Sequence, residues 1–154
     1  MGSINNTISK LAFPPFYFFA SIVLMVSCYF ILPEYNLLYF PLNLIGLLFL
    51  FLGAYLIVRY TLVFISKKTT FQNTKPSFFV KDRFYKYSRN PMYLGGLSFL
   101  IGLSIIIGNT ISFIIIIVFF LIMNFVCIPV EEKIMKTAFK ADYENYKKNV
   151  RRWI

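Results

Sequence analysis

Apolar residues gather into four stretches, each approaching the roughly 20 residues that a helix needs to cross the hydrocarbon core of a bilayer. They run from about Phe13 to Leu32, Leu42 to Ile65, Pro91 to Ile107 and Thr110 to Pro129. This pattern predicts an all-α, polytopic membrane protein with four transmembrane helices. Pro33-Glu34-Tyr35-Asn36 predicts a short turn between the first two spans. Gly108-Asn109-Thr110 predicts a tighter one between the last two, which makes those two an antiparallel helical hairpin. No internal repeat interrupts the order. Beyond Pro129 the pattern changes. Met135, Phe139, Tyr143, Tyr146 and Val150 recur at helical spacing, with Lys133, Lys136, Lys140 and Lys147 on the other side. Residues 130–154 therefore read as an amphipathic tail helix, able to lie in the headgroup region or to fold back under the bundle.

Charge orients this arrangement. The connection over residues 66–90 carries Lys67, Lys68, Lys75, Lys81, Arg83, Lys86 and Arg89 against Asp82, and the tail adds Lys133, Lys136, Lys140, Lys147, Lys148, Arg151 and Arg152. Basic loops stay on the cytoplasmic side. Both basic segments and both termini are expected there, with the two nearly uncharged turns outside, in a bacterial inner membrane or the endoplasmic reticulum. An odd number of spans would put the basic segments on opposite sides. The first apolar run follows only Lys10 and is long enough to span, which argues against a signal peptide.

Composition agrees. The 154 residues are 58% hydrophobic and 14% charged, with a mean hydropathy of +0.69, which suits one membrane domain with no separate soluble module. The net charge of +10 is explained by basic residues crowded on one side of a bilayer, so no nucleic-acid partner is expected. Cys28 and Cys127 lie inside apolar runs and read as buried thiols. The chain has no histidine. That excludes His-box di-iron oxidases, His-ligated zinc or haem, and Ser–His or Cys–His nucleophiles. No metal site is expected.

Candidate chemistry collects at the cytoplasmic end. Asn90 is a good N-cap and Pro91 suits a first helical position, so the third span begins there. Its free N–H groups and positive dipole end offer a carboxylate or phosphate site, with Arg89 alongside. The plainer reading is a capped helix beside a positive-inside arginine. Gly95, Ser98 and Gly102 share a face that permits close helix contact, and Gly95 could equally let a flat ligand approach backbone. Glu131 and Glu132 follow the fourth span, where acids suit a helix start or a cationic ligand. The hairpin brings them to the membrane face that holds Arg89 and Asn90, and the combination suits a zwitterionic cofactor. Tyr85, Tyr87, Tyr93, Tyr143 and Tyr146 add aromatic surface at that level, for which an interfacial belt is the simplest explanation. Arg59, near the cytoplasmic end of the second span, either snorkels or faces inward to bind an anion.

The segment Phe84-Tyr85-Lys86-Tyr87-Ser88-Arg89-Asn90-Pro91-Met92-Tyr93-Leu94-Gly95-Gly96 resembles the Arg-His/Asn-Pro-x-Tyr-x-Gly segment of isoprenylcysteine carboxyl methyltransferases and related phospholipid methyltransferases. Glu131-Glu132, followed by Phe139, Tyr143, Tyr146, Val150 and Arg151, resembles the same family's ending, a Glu-Glu pair, a Phe, Tyr-x-x-Tyr and Val-x-Arg. The resemblance covers roughly the C-terminal half. It implies S-adenosylmethionine as methyl donor, bound at the cytoplasmic ends of the last two spans and enclosed by the tail. It implies Asn90, Pro91, Tyr93, Leu94, Gly95, Glu131, Glu132, Tyr143 and Tyr146 as donor-binding positions, with Arg89, Glu131 and Glu132 as the catalytic set. Arg59 and Arg151 fall to the acceptor side. Asn90 stands where many members have His, and Arg83 and Lys140 where the family commonly has Gly.

Methyl transfer from a sulfonium is an in-line displacement that needs proximity, alignment and a dry site. A carboxylate acceptor needs no base, whereas an amine must first lose a proton. The missing histidine therefore tilts the expectation toward a carboxylate on a lipid or lipidated acceptor, although Glu131 could serve an amine. The first two spans are expected to contact the acceptor. The alternatives are a phospholipid N-methyltransferase, an NADPH-dependent membrane reductase, and a non-enzymatic membrane protein that kept the fold.

Overall fold

Each of the four apolar stretches forms a helix in the computed structural model, which describes residues 13–36, 38–66 and 83–154. Helix α1 spans Pro14–Ile31, α2 Ile45–Ser66, α3 Pro91–Ile107 and α4 Ile111–Ile122. Proline opens α1 and α3, where its missing N–H costs nothing. A 3₁₀ turn, Leu42–Leu44, leads into α2. Lys10, Lys67, Lys68, Lys75, Lys81 and Asp82 fall outside the described residues. Three runs are long and apolar enough to cross a membrane: Pro14–Ile31, Leu42–Val63 and the run beginning at Ile111. Helix α3 is apolar but shorter, at 17 residues, or ~25 Å at 1.5 Å per residue.

The tail departs from the expectation of a new helix starting after Pro129. The chain continues from α4 through a π-helical turn, Met123–Cys127, directly into α5, Ile128–Asn149. Pro129 interrupts the ladder without ending the helix, because the wider turn absorbs the missing donor. The apolar part of this run ends at Val130, so Glu131 and Glu132 lie beyond it. On α5, Tyr143 is buried and Met135, Phe139 and Tyr146 are half-buried, while Lys133, Lys136, Lys140 and Lys147 are exposed.

Helix α5 bends at Lys140, whose φ is 41° and ψ −115°. A side chain in that region costs about 1–3 kcal/mol, and glycine enters it freely. Lys140→Gly is therefore expected to stabilise the protein by about 1 kcal/mol, read as a raised thermal midpoint in detergent. A lowered midpoint would show that the bend is not a strained position.

Helix α3 is the central element. Helix α2 runs antiparallel along one side of it, and α1 and α4 cover the other. The α2–α3 contact is made by glycines. A Cβ on Gly46 would stand 2.5 Å from Gly102 O, one on Gly102 2.6 Å from Gly46 O, and one on Gly53 2.6 Å from Gly95 O. Only backbone without side chains fits there. A Cβ on Gly95 would meet Leu56 Cβ at 2.8 Å, so the open side of Gly95 faces α2. Ser98 Oγ donates to Phe49 O across the same seam, at 2.9 Å. On the other side Met25, Tyr93, Leu100, Ile116, Phe119, Met123, Cys127 and Ile128 form one buried cluster. Phe16, Phe19 and Phe30 of α1 and Leu48, Phe51 and Ile65 of α2 are exposed, a surface suited to acyl chains. Cys28 and Cys127 are free thiols.

At the end away from the basic segments, Asn109 is fully buried. Its amide nitrogen donates to Leu32 O at 3.1 Å and Asn36 Oδ1 at 2.8 Å, and more weakly to Cys28 O at 3.4 Å. Its amide oxygen accepts from Ile111 N–H at 3.0 Å, while Gly108, at φ 75°, ends α3. The two nearly uncharged turns therefore meet on one side of the bundle.

Candidate active site

The site begins where α3 begins. Asn90 occupies the N-cap position, but its side chain does not cap the helix. It points its amide donor at Arg152 O, 2.9 Å away. This corrects the expectation from sequence, and the reason is chemical. A cap requires an acceptor oxygen, whereas the carbonyls of the C-terminal segment require a donor, and the amide nitrogen supplies it. Ser88 Oγ meanwhile accepts from Asn90 N–H at 3.1 Å. Arg89 N–H donates to Arg151 O at 3.0 Å, and Ser88 pairs with Arg151 as an isolated parallel bridge. Residues 150–154 thus form a strap lying along residues 88–90.

Glu132 gathers three cations beneath that strap. Its Oε1 lies 2.8 Å from Arg89 Nη1. Arg152 donates to it through Nε at 3.2 Å and Nη2 at 3.0 Å, and Lys147 Nζ approaches Oε2 at 3.5 Å. The side chains of Arg89 and Glu132 are only 10% and 11% exposed. Burial by itself would raise the Glu132 carboxyl, but the Arg152 hydrogen bonds and the charges of Arg89, Arg152 and Lys147 outweigh it and hold the group below the usual carboxylate range. One carboxylate against three cations leaves the cluster positive. Arg89 also keeps donor capacity: among the described residues its buried Nε and Nη1 find no hydrogen-bond acceptor, Nη1 being close to Glu132 but badly angled. The cluster is therefore suited to a further carboxylate.

Glu131, one residue earlier, sits in a different environment. The Tyr93 hydroxyl donates to its Oε1. Burial raises the Glu131 carboxyl, and the Tyr93 bond offsets only part of that. Adjacent positions on one helix thus hold one carboxylate that is firmly ionised and one that binds a proton readily.

Aromatic walls complete the region. Tyr143 and Tyr146 have ring centres 6.2 Å apart, and burial keeps both hydroxyls protonated. Tyr146 donates to Tyr85 O at 2.7 Å, and Tyr85 meets Tyr60 edge-on at 5.4 Å.

The structure brings together Arg89, Asn90, Tyr93, Glu131, Glu132 and Tyr143, with Pro91 buried beneath them and Leu94 half-buried on α3. Arg59 is half-buried on α2 beside Tyr60, and it forms no ion pair among the described residues. The Arg151 side chain is exposed and contributes its backbone carbonyl. Tyr87 is exposed. Sequence reasoning gave no site role to Asn124, Lys147, Arg152 or Trp153. One signal for Arg152 was present, since Val-x-Arg counted from Val150 ends on Arg152.

The model of the phospholipid methyltransferase family matches residues 42–142, more than half of the chain. No curated protein and no solved structure matches it. The matched segment holds Arg89, Asn90, Tyr93, Glu131 and Glu132, and members of this family generally take their methyl group from S-adenosylmethionine. With these residues gathered at one end of a set of apolar helices, the chain belongs to the phospholipid methyltransferase family of membrane methyltransferases that act on lipid.

Proposed function

We propose that the protein is an S-adenosylmethionine-dependent methyltransferase whose acceptor is the amine of a phospholipid. In this reading the chain spans the membrane four times, with α3 as the third span and both termini cytoplasmic. The observation that carries the proposal is the Glu131–Glu132 pair: one carboxylate buried against the Tyr93 hydroxyl with a raised proton affinity, its neighbour held ionised among three cations.

S-adenosylmethionine, when bound, supplies a methyl group on a sulfonium, electrophilic enough to pass to a lone pair. Arg89 and its neighbouring cations suit the carboxylate of that donor, and Glu132 suits its ammonium. Asn90, Pro91, Tyr93 and Leu94 form the adjoining turn of α3, and Tyr143 and Tyr146 wall the site and exclude water. Gly95 serves by letting α2 approach. Glu131 takes a proton from the acceptor's ammonium, which frees the nitrogen lone pair. Its raised proton affinity makes it a better base for that step than an ordinary carboxylate. No histidine is required. Arg59, on α2, is available to the lipid phosphate, and the exposed apolar faces of α1 and α2 suit acyl chains.

A second reading is favoured by the excess positive charge around Glu132. The cations would also suit a carboxylate acceptor, as in carboxyl methyltransferases, with Arg151 at the acceptor side. Product chemistry separates the two. The purified protein in phosphatidylethanolamine vesicles, given methyl-labelled S-adenosylmethionine, is expected to put label into extracted lipid that survives mild base. Label released as methanol by base would replace the amine with a carboxylate. Absence of label, together with absence of S-adenosylhomocysteine binding by calorimetry, would remove the methyltransferase reading in favour of a reductase-like or non-enzymatic protein.

A further inference from the structure

The π-helical turn leaves one backbone carbonyl without a helical donor, and the C-terminal strap uses it. Ile128 N–H donates to Met123 O, five residues back. In that register the next carbonyl, Asn124 O, would take the N–H of residue 129. Pro129 has none. A carbonyl stripped of its donor inside a helix bundle is unfavourable unless another donor arrives. Here Arg152 arrives. Its Nη1 lies 3.3 Å from Asn124 O and 3.3 Å from Asn124 Oδ1. Trp153 Nε1 donates to the same Oδ1 at 3.1 Å, and its ring rests on Phe120 at 5.0 Å. The remaining donors of the Arg152 guanidinium, Nε and Nη2, hold Glu132. One planar, five-donor group therefore joins the break in the helix to the carboxylate of the site.

We infer that Pro129 and Asn124 together build the receptor onto which the C-terminal strap docks, and that Asn124, acting through Arg152, is a positioning residue for Glu132. Glu132 also faces Arg89, Lys147 and Tyr143. Among the described residues, Arg152 is the cation of Glu132 that also reaches the break in the helix, at Asn124. Losing that acceptor frees Arg152, and with it the alignment of Glu132 for the donor. The docking step stands on geometry alone. The consequence for donor affinity rests on the methyltransferase reading.

The test exploits a substitution whose structural effect is favourable. Pro129→Ala returns the missing N–H and permits a regular helix, so thermal stability in detergent is expected to hold or rise. Two readouts should nevertheless worsen. Trp153 is the chain's one tryptophan, and its emission should shift to the red as the strap leaves Phe120 and Asn124. The dissociation constant for S-adenosylhomocysteine should rise about tenfold, the scale of one lost charge-assisted hydrogen bond. Asn124→Ala should move both readouts the same way by a smaller factor, whereas Asn124→Asp, which keeps acceptor oxygens, should restore them. The inference is overturned if Pro129→Ala and Asn124→Ala both retain wild-type emission, or if emission shifts while affinity stays within twofold. Failure of the wild-type protein to bind S-adenosylhomocysteine would remove the methyltransferase reading, and the emission would still decide whether the strap docks as inferred.

Discussion

Glu132→Gln is expected to destabilise the protein by about 2 kcal/mol and to abolish donor binding. Among the described residues, this carboxylate is the counter-charge that Arg89, Arg152 and Lys147 share. Glutamine has nearly the same shape but no charge, so three cations are left facing one another. Removing one member of a well-buried pair costs about 3–5 kcal/mol. Lys147 and Arg152 are 43% and 31% exposed, so water screens part of the repulsion and brings the cost below that range, to about 2 kcal/mol. The pH dependence gives an independent measurement. The Glu132 carboxyl is held low in the folded state, so its contribution to stability is complete above the ordinary carboxylate range, about pH 4, and disappears as pH falls through its lowered value. Thermal midpoints of the wild type should drop more steeply below that pH than those of Glu132→Gln. Parallel curves would remove Glu132 as the electrostatic centre of the site.

Glu131→Gln is expected to lower kcat by about 10²–10⁴-fold, the usual contribution of a general base, with little effect on the affinity for S-adenosylhomocysteine. Glutamine keeps the oxygen that accepts from Tyr93 and loses only the ability to take a proton. Stability should move in the opposite direction from that of the Glu132 variant. Burial raises the Glu131 carboxyl in the folded state. Its favourable share is therefore present below the ordinary carboxylate range and is lost as pH rises through the raised value. Above that range the glutamine variant should be at least as stable as the wild type. A kcat within threefold of wild type would eliminate Glu131 as the base and return weight to a carboxylate acceptor.

Local pattern carried the sequence reading a long way. Hydrophobic stretches gave the helices to within a few residues, because burial in lipid is a property of consecutive side chains. The Asn90-Pro91 start of α3 is where it was expected. So is the meeting of Arg89 with Glu132, since a tight turn at Gly108 forces the far ends of a hairpin together. Three features were not legible. Asn90 bonds to Arg152, 62 residues away in sequence, and no periodicity registers a partner at that distance. Pro129 reads as a helix end, and only the offset of Ile128 to Met123 reveals that the helix swallows it. Gly95 offered two uses, and the choice between them required seeing Leu56 against it. Lys140 is an intermediate case. A lysine gives no local sign of a bend, yet the resemblance to a family with glycine at this place pointed to the position where φ turns positive.

The Asn109 junction shows how the molecule divides its labour. At that end a single amide joins the end of α1, the turn after it and the start of α4. No other side chain offers this combination: aspartate lacks the donor, glutamine is a methylene too long, and serine cannot reach in two directions. The junction of α1 with α4 is thus anchored by one residue that takes no part in the chemistry. At the opposite end the fit is shared among Arg89, Glu132, Lys147 and Arg152, none of which alone fixes where a helix lies. Loss of one charged residue at the reacting end is accordingly expected to alter the site while the α1–α4 junction keeps its alignment.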